Sequence, residues 1–270
     1  MKQKILMLVA VVLYAITPAW AQYVEGSTTL PVNGRPEHIY LMYNYVMQNG
    51  ENCVVSTNTA PTRTSENVGL FAFYATGEEN TYQIYNCMNQ KWLTYVTADS
   101  YENGTDFIKF TDNQYEAKAF VVNNYADDYY NIQPLKTDET ADKYLNWYNG
   151  IYSNPLDGTT TLGLWQQDGA ADAGSRWSFI EIPETIELEG QLYKQDVVSR
   201  TAELIANTTP YEGDFVFWAS NYSTGYGPIS LDFTMTGIGD WAFNNCDNLT
   251  SVVIPETVTR IGDYAFTDCI

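Results

Sequence analysis

The chain has 270 residues, with 33 acidic against 13 basic side chains and a formal net charge of −20 at pH 7. A surface so acidic repels nucleic acid and anionic lipid, which excludes both as partners. Its 22 Tyr and 7 Trp are a large aromatic supply, suited to β-cores and to platforms for sugars or proteins.

The first segment predicts export. Lys2 and Lys4 make a basic start, residues 5–16 are apolar, and Ala19-Trp20-Ala21 is a small-x-small cleavage site before Gln22. The apolar run falls short of the roughly 20 residues that a spanning helix needs. No Cys stands at the cleavage point, so no lipid anchor is implied, and no later run qualifies as a membrane helix. Residues 1–21 are therefore expected to be a signal peptide, and the mature chain to be secreted or held at the cell surface without membrane insertion. Removing two lysines and no acid takes the charge from −20 to −22.

Residues 22–183 carry a weak repetition with a period of roughly 47 residues. Strand-like openings fall at Tyr40-Leu41-Met42, Tyr82-Gln83-Ile84 and Tyr130-Asn131-Ile132. Second apolar segments follow at Cys53-Val54-Val55, at Lys91-Trp92-Leu93-Thr94-Tyr95 and at Lys143-Tyr144-Leu145-Asn146-Trp147. Turn words Asn103-Gly104-Thr105 and Asp157-Gly158-Thr159 precede Ile108-Lys109-Phe110 and Leu162-Gly163-Leu164-Trp165. In the first unit Phe71-Ala72-Phe73-Tyr74 takes that last place. Short strands split by Gly, Asn and Asp turns predict an all-β domain. Three units of this size fit a β-trefoil, a three-fold barrel closed by hairpins.

The third unit, Lys143-Tyr144-Leu145-Asn146, Asp157-Gly158-Thr159, Leu162-Gly163-Leu164-Trp165 and Ser175-Arg176-Trp177-Ser178-Phe179, resembles a ricin-type β-trefoil lectin repeat. In that family an aromatic carries the sugar and an Asp with further polar groups holds its hydroxyls. Carried over, the resemblance makes Trp165 the platform and puts Asn146 at the Asp position. Gly163, Gly174 and Ser175 fall at the polar positions, so the stacking surface is kept and much of the hydrogen-bonding set is not. Asp168 and Asp172 are further candidate partners for a sugar, and Tyr74 is a candidate platform in the first unit. Val55 stands at the Asp position there, and in the second unit Thr94 and Thr111 replace the Asp and the aromatic. Trp165 as ordinary packing remains the competing expectation, and Trp177 corresponds to the family's core tryptophan.

Residues 184–236 read as a β-rich lead-in. Residues 186–193 and 201–205 alternate apolar and polar side chains, as half-buried strands do. The aromatic run at residues 215–222 is either a hairpin edge or a ligand patch. From 237 the chain repeats itself: Gly237-Ile238-Gly239-Asp240-Trp241-Ala242-Phe243 with Cys246 returns 23 residues later as Arg260-Ile261-Gly262-Asp263-Tyr264-Ala265-Phe266 with Cys269. A period in the twenties predicts a leucine-rich solenoid, with one repeat to each turn. Leu249, Val252, Ile254, Val258, Ile261, Ala265 and Phe266 are expected to point inward.

Residues 237–270 resemble the BspA-type leucine-rich repeat, and residues 184–236 the β-hairpin cap that often precedes such arrays. The resemblance implies a secreted or surface protein of bacterial type that acts as an adhesin. Its partners would be host or bacterial surface proteins or glycoproteins, with glycans as an alternative. About three or more repeats are normally needed for stability, so the chain is expected to continue past Ile270, the alternative being a short protein whose open end meets a partner.

Little points to catalysis. His38 is the sole histidine, and no nucleophile elbow, zinc-protease helix or phosphate loop is present. A paired-carboxylate glycosidase stays open, because a separation of about 5–10 Å is a property of the fold. No cofactor or metal is expected. All four cysteines, Cys53, Cys87, Cys246 and Cys269, are expected to be buried and unpaired, the last two in equivalent places of successive repeats. The sequence thus leaves two readings, a non-catalytic protein-binding adhesin and a carbohydrate-binding lectin.

Overall fold

The computed structural model describes residues 24–31, 34–45, 54–55, 61–62, 68–96, 106–126, 129–135, 143–147, 162–166, 169–188, 190–207, 212–216, 222–223 and 231–269. These residues form an all-β protein. Their helical pieces are the 3-10 turns Gln114–Glu116, Gly169–Ala171 and Ala173–Ser175, and none of their helices is long and apolar enough to cross a membrane.

The first twelve strands are β1 (Tyr40–Asn44), β2 (Val54–Val55), β3 (Pro61–Thr62), β4 (Phe71–Ala75), β5 (Thr81–Asn86), β6 (Lys91–Val96), β7 (Asp106–Thr111), β8 (Ala119–Ala126), β9 (Tyr129–Pro134), β10 (Tyr144–Asn146), β11 (Gly163–Trp165) and β12 (Trp177–Glu181). Six of them close a ring in the order β1-β4-β5-β8-β9-β12, and every neighbouring pair is antiparallel. The other six pair as hairpins β2–β3, β6–β7 and β10–β11. Each four-strand unit therefore gives its first and fourth strands to the ring and its middle two to a hairpin. Closure leaves no free edge on the ring.

Alternation along these strands fills the ring. Tyr40, Met42, Phe71, Phe73, Ile84, Phe120, Val122, Tyr130, Ile132, Trp177 and Phe179 form one core, which Leu93, Ile108, Leu145 and Leu164 of the hairpins extend. Phe73 and Phe179 meet edge to face at 5.4 Å, and Tyr40 meets Phe73 at 5.7 Å, the geometry that aromatic quadrupoles prefer. The Trp177 indole N–H donates to the Leu145 carbonyl at 2.8 Å, so the buried polar edge of the tryptophan is satisfied while it ties ring to hairpin. Between β5 and β6 the side chains of Asn86 and Asn89 accept from Met88 N and Lys91 N, the local bonds that make asparagine a turn residue.

The opposite face of β1 and β4 is also buried. Leu41, Tyr43, Ala72 and Tyr74 join Ile180, Ile186, Tyr193, Leu204, Phe233, Met235 and Ile238 in a second core. These strands read as unbroken apolar runs because they are covered on both sides. The covering layer is the meander β13 (Thr185–Leu188), β14 (Gln191–Asp196) and β15 (Thr201–Asn207). Polar ties reinforce it, with Arg35 Nη1 donating to Gln195 O and Gln195 Nε2 donating to Pro183 O, each at 2.6 Å.

Parallel pairing begins at β15. It pairs with β18 (Asp232–Ile238), which pairs in turn with β20 (Arg260–Ile261). A second parallel ladder joins β16 (Glu212–Val216) to β19 (Asn248–Val253), and β17 (Tyr222–Ser223) lies antiparallel to β18. Successive turns are laced by main-chain bonds, Trp241 N to Asp263 O at 3.0 Å, Phe243 N to Ala265 O at 2.7 Å and Asn245 N to Thr267 O at 3.0 Å. Inside the stack Phe243 and Phe266 lie parallel, 4.9 Å apart. Contrary to the expected inward set, Ile254 and Ile261 are exposed.

Cys87, Cys246 and Cys269 are free thiols, the first two buried and the third half-buried. Burial pushes the Cys87 thiol up to about 12. Cys269 Sγ donates to the Phe243 carbonyl at 3.1 Å. Cys53 lies outside the described residues.

Candidate binding surfaces

In the third barrel unit the candidate sugar residues divide. Asn146 ends β10, opposite Gly163 of β11, and only 1% of it is exposed. Its amide donates to Asp172 Oδ1 at 2.9 Å and to Ser175 Oγ at 2.8 Å. Asp172 also accepts from Gly174 N at 2.6 Å, as the cap of the 3-10 turn that follows. A Cβ on Gly174 would sit 2.5 Å from the Trp147 carbonyl, so the glycine lets this turn close on β10. The group is thus a locked support, apart from Asn146 Oδ1, which is buried without a hydrogen-bond partner.

Trp165, in β11 beside Tyr144, is half-buried. Tyr74 is 4% exposed and packs against Trp92 at 5.1 Å and Tyr85 at 6.4 Å; burial raises its phenol pKa. It stands in the second core and not at an open platform, because the C-terminal layer covers β4. Asp168 lies outside the described residues. Thr94 and Thr111 are anchors to Glu116, bonding its carbonyl at 3.0 Å and its carboxylate at 2.9 Å.

His38 sits between two carboxylates, with Nδ1 2.6 Å from Glu181 Oε1 and Nε2 3.7 Å from Glu25 Oε1. The nearby Ser27 hydroxyl bonds the main chain of His38, accepting from its N–H and donating to its carbonyl. Ser27 is thereby held as a structural partner and not as a nucleophile on the imidazole. Among the described residues no three His, Cys, Asp or Glu side chains gather as metal ligands.

Two aromatic surfaces escaped the sequence reading. On the barrel, the Arg176 guanidinium lies 5.3 Å from the Tyr45 ring and 5.1 Å from the Tyr125 ring, both rings being exposed. Arg176 Nη2 donates to Ala171 O at 2.7 Å. No pattern announces this cluster, which joins three distant segments.

On the solenoid, Trp241 and Tyr264 stack at 4.5 Å with 19° between their planes. Trp241 remains 52% exposed and Tyr264 62% exposed. Both lie in the left-handed region, at φ 62° and 58°. Their signal in the sequence is the position of the repeated word that holds Trp in one copy and Tyr in the other.

Charge surrounds that stack. Arg260 Nη1 pairs with Glu203 Oε1 at 2.6 Å and Nη2 with Asp240 Oδ1 at 3.1 Å. Gly237 lies between Glu203 and Arg260 in the parallel ladder, so the missing side chain opens the path for the guanidinium. Asp263 N donates to Asp240 Oδ1 at 2.8 Å.

A comparison with curated proteins gives no match. Residues 214–270, from within β16 through both copies of the repeated word, match the model of the family described as BspA type Leucine rich repeat region (6 copies). The C-terminal part of the chain is similar to that family, which is typically surface-associated, binding-related and generally non-catalytic.

Proposed function

We propose that this is an exported, non-catalytic binding protein of adhesin type that engages host or partner proteins through its solenoid. One observation carries the reading. Trp241 and Tyr264 leave half or more of their surface in water on successive turns of a regular stack, and exposed aromatics of this kind mark interaction sites. In this reading residues 1–21 are the signal peptide, the ring with its hairpins is a β-trefoil, and β13–β15 cap the solenoid. The test uses the mature chain and cells trimmed in two ways. Binding lost after surface proteolysis and kept after deglycosylation supports the proposal; binding lost only after deglycosylation overturns it.

A lectin function is the second reading. It draws support from the half-buried Trp165 on hairpin β10–β11 and from the barrel's three units. A glycan array probed with the mature chain and with Trp165→Ala decides it. Selective binding abolished by the substitution establishes the lectin, whereas silence leaves the barrel as a scaffold.

A further inference from the structure

Each of the two repeats, 237–246 and 260–269, contains two residues in the left-handed backbone region. One position holds Asn245 and then Asp268, at φ 58° and 59°. Asn and Asp adopt that conformation more readily than other side-chain-bearing residues. The other position holds Trp241 and then Tyr264, bulky residues for which the conformation is costly. Local folding physics therefore explains the first position and opposes the second. Ring stacking recovers part of the cost, but it is equally available to rings turned into the stack, as the buried Phe243 and the half-buried Phe266 are.

The charge around the rings indicates what they face. Residues 231–269 contain six acids, Asp232, Asp240, Asp247, Glu256, Asp263 and Asp268, and one base, Arg260. That base is already bound to Glu203 and Asp240. Asp263 precedes Tyr264, is exposed, and has no ion pair among the described residues. Exposed aromatic faces next to an unpaired carboxylate fit an arginine or lysine side chain, whose stem packs on the ring and whose charge meets both π-system and carboxylate.

We infer that the Trp241–Tyr264 stack, flanked by Asp263, is a docking site for a basic polypeptide segment rich in arginine or lysine. The inference rests on the solenoid being the binding surface and names the chemistry of its partner. Rings on these two successive turns would let basic side chains of one segment engage both, with the overall acidity of the chain steering the encounter.

The probe is a synthetic peptide alternating arginine and glycine, titrated against the mature protein while tryptophan fluorescence is followed. The expected result is saturable binding that weakens with salt. Trp241→Asn with Tyr264→Asn should weaken it by about tenfold, the scale of a desolvated cation–π contact. Asp263→Asn should weaken it by roughly two- to threefold and flatten the salt dependence. Because Asn suits the left-handed backbone, the double variant is expected to melt no lower than the parent, so a loss of binding is not a loss of fold. Peptide binding unchanged in the double variant overturns the inference, since it then reflects diffuse charge alone. So does preferential binding of neutral oligosaccharides to the rings. If the double variant fails to bind cells while the parent ignores the peptide, the solenoid reading stands and the basic partner is wrong. If neither binding depends on the rings, both fall.

Discussion

Replacing Gly239 by Ala tests the stacked-turn contact directly. A Cβ there would stand 2.9 Å from the Leu204 carbonyl oxygen and 3.1 Å from Ile205 Cα, both main-chain atoms that cannot rotate away. The same glycine donates its N–H to Leu204 O, so relief of the clash stretches that bond. Overpacking of this kind costs about 1–3 kcal/mol, and weakening one buried hydrogen bond adds about 1 kcal/mol. Against these, Ala restricts the unfolded chain and returns about 0.4–1 kcal/mol. The net expectation is a loss of about 1–3.6 kcal/mol, which lowers Tm by roughly 2–14 °C in a chain of this size. Gly237→Ala is the control, because its Cβ would meet the flexible Glu203 side chain at 3.2 Å and disturb at most the exposed Glu203–Arg260 pair. It should change stability by less than about 0.5 kcal/mol. Thermal melts of both variants, with hydrogen exchange of the amides in β15 and β18, read the effect globally and at the joint. Equal melting of the two alanine variants would refute the close approach of these turns.

Three further outcomes are expected. Glu37 accepts hydrogen bonds from the hydroxyls and N–H groups of Thr29 and Thr28, and these, led by the Thr29 hydroxyl, hold its pKa down from 4.5 to about 2. A lowered folded pKa means the anchorage is complete above about 4.5 and is lost as pH falls towards 2; amide chemical shifts of Thr28 and Thr29 followed through that window should report it, and Glu37→Gln should abolish the transition. Tyr74→Phe removes a hydroxyl that is buried without a hydrogen-bond partner, so it should be neutral or stabilise by about 1 kcal/mol in urea melts. Cys87, buried and with its thiol pushed up to about 12, should resist iodoacetamide in the native protein at pH 8 and react once denatured.

The strand pattern was legible because turn chemistry punctuates it. Tyr40 opens β1, and Tyr82 and Tyr130 stand second in β5 and β9, close to the starts that the period implies, while the turn words at 103–105 and 157–159 lie outside the described residues. The solenoid showed itself only where the copies match. Its first turn, through β15 and β16, pairs Leu204 with Ile238 across 34 residues, not 23, so no fixed period reveals it. The site was less readable. Tyr74 occupies an alternating position on an apparent barrel exterior, and nothing local says that a layer more than a hundred residues later covers it. Asn146 is a polar residue at a strand end, where exposure is the ordinary expectation. Its burial depends on Asp172, Gly174 and Ser175 folding back from beyond β11. The strain at Trp241 and Tyr264 is a backbone property that the side-chain pattern cannot carry.

The covering of β1 and β4 also bears on how a binding surface is held. Ile186, Tyr193 and Leu204, which lie at the start of the stack, share one core with Leu41, Tyr43 and Ala72 of the ring. Strand β15 belongs to both the meander and the parallel ladder. An open solenoid end would expose such apolar residues to water; here the barrel's outer face and the meander shield them. The barrel therefore has a physical task that needs no ligand, closing the end of the stack that lies away from Trp241 and Tyr264. Trp165 stands on the hairpin β10–β11, and Leu41 and Tyr43 stand on the ring strand β1, so the shielding is independent of the proposed sugar contact, and Trp165→Ala should leave it untouched.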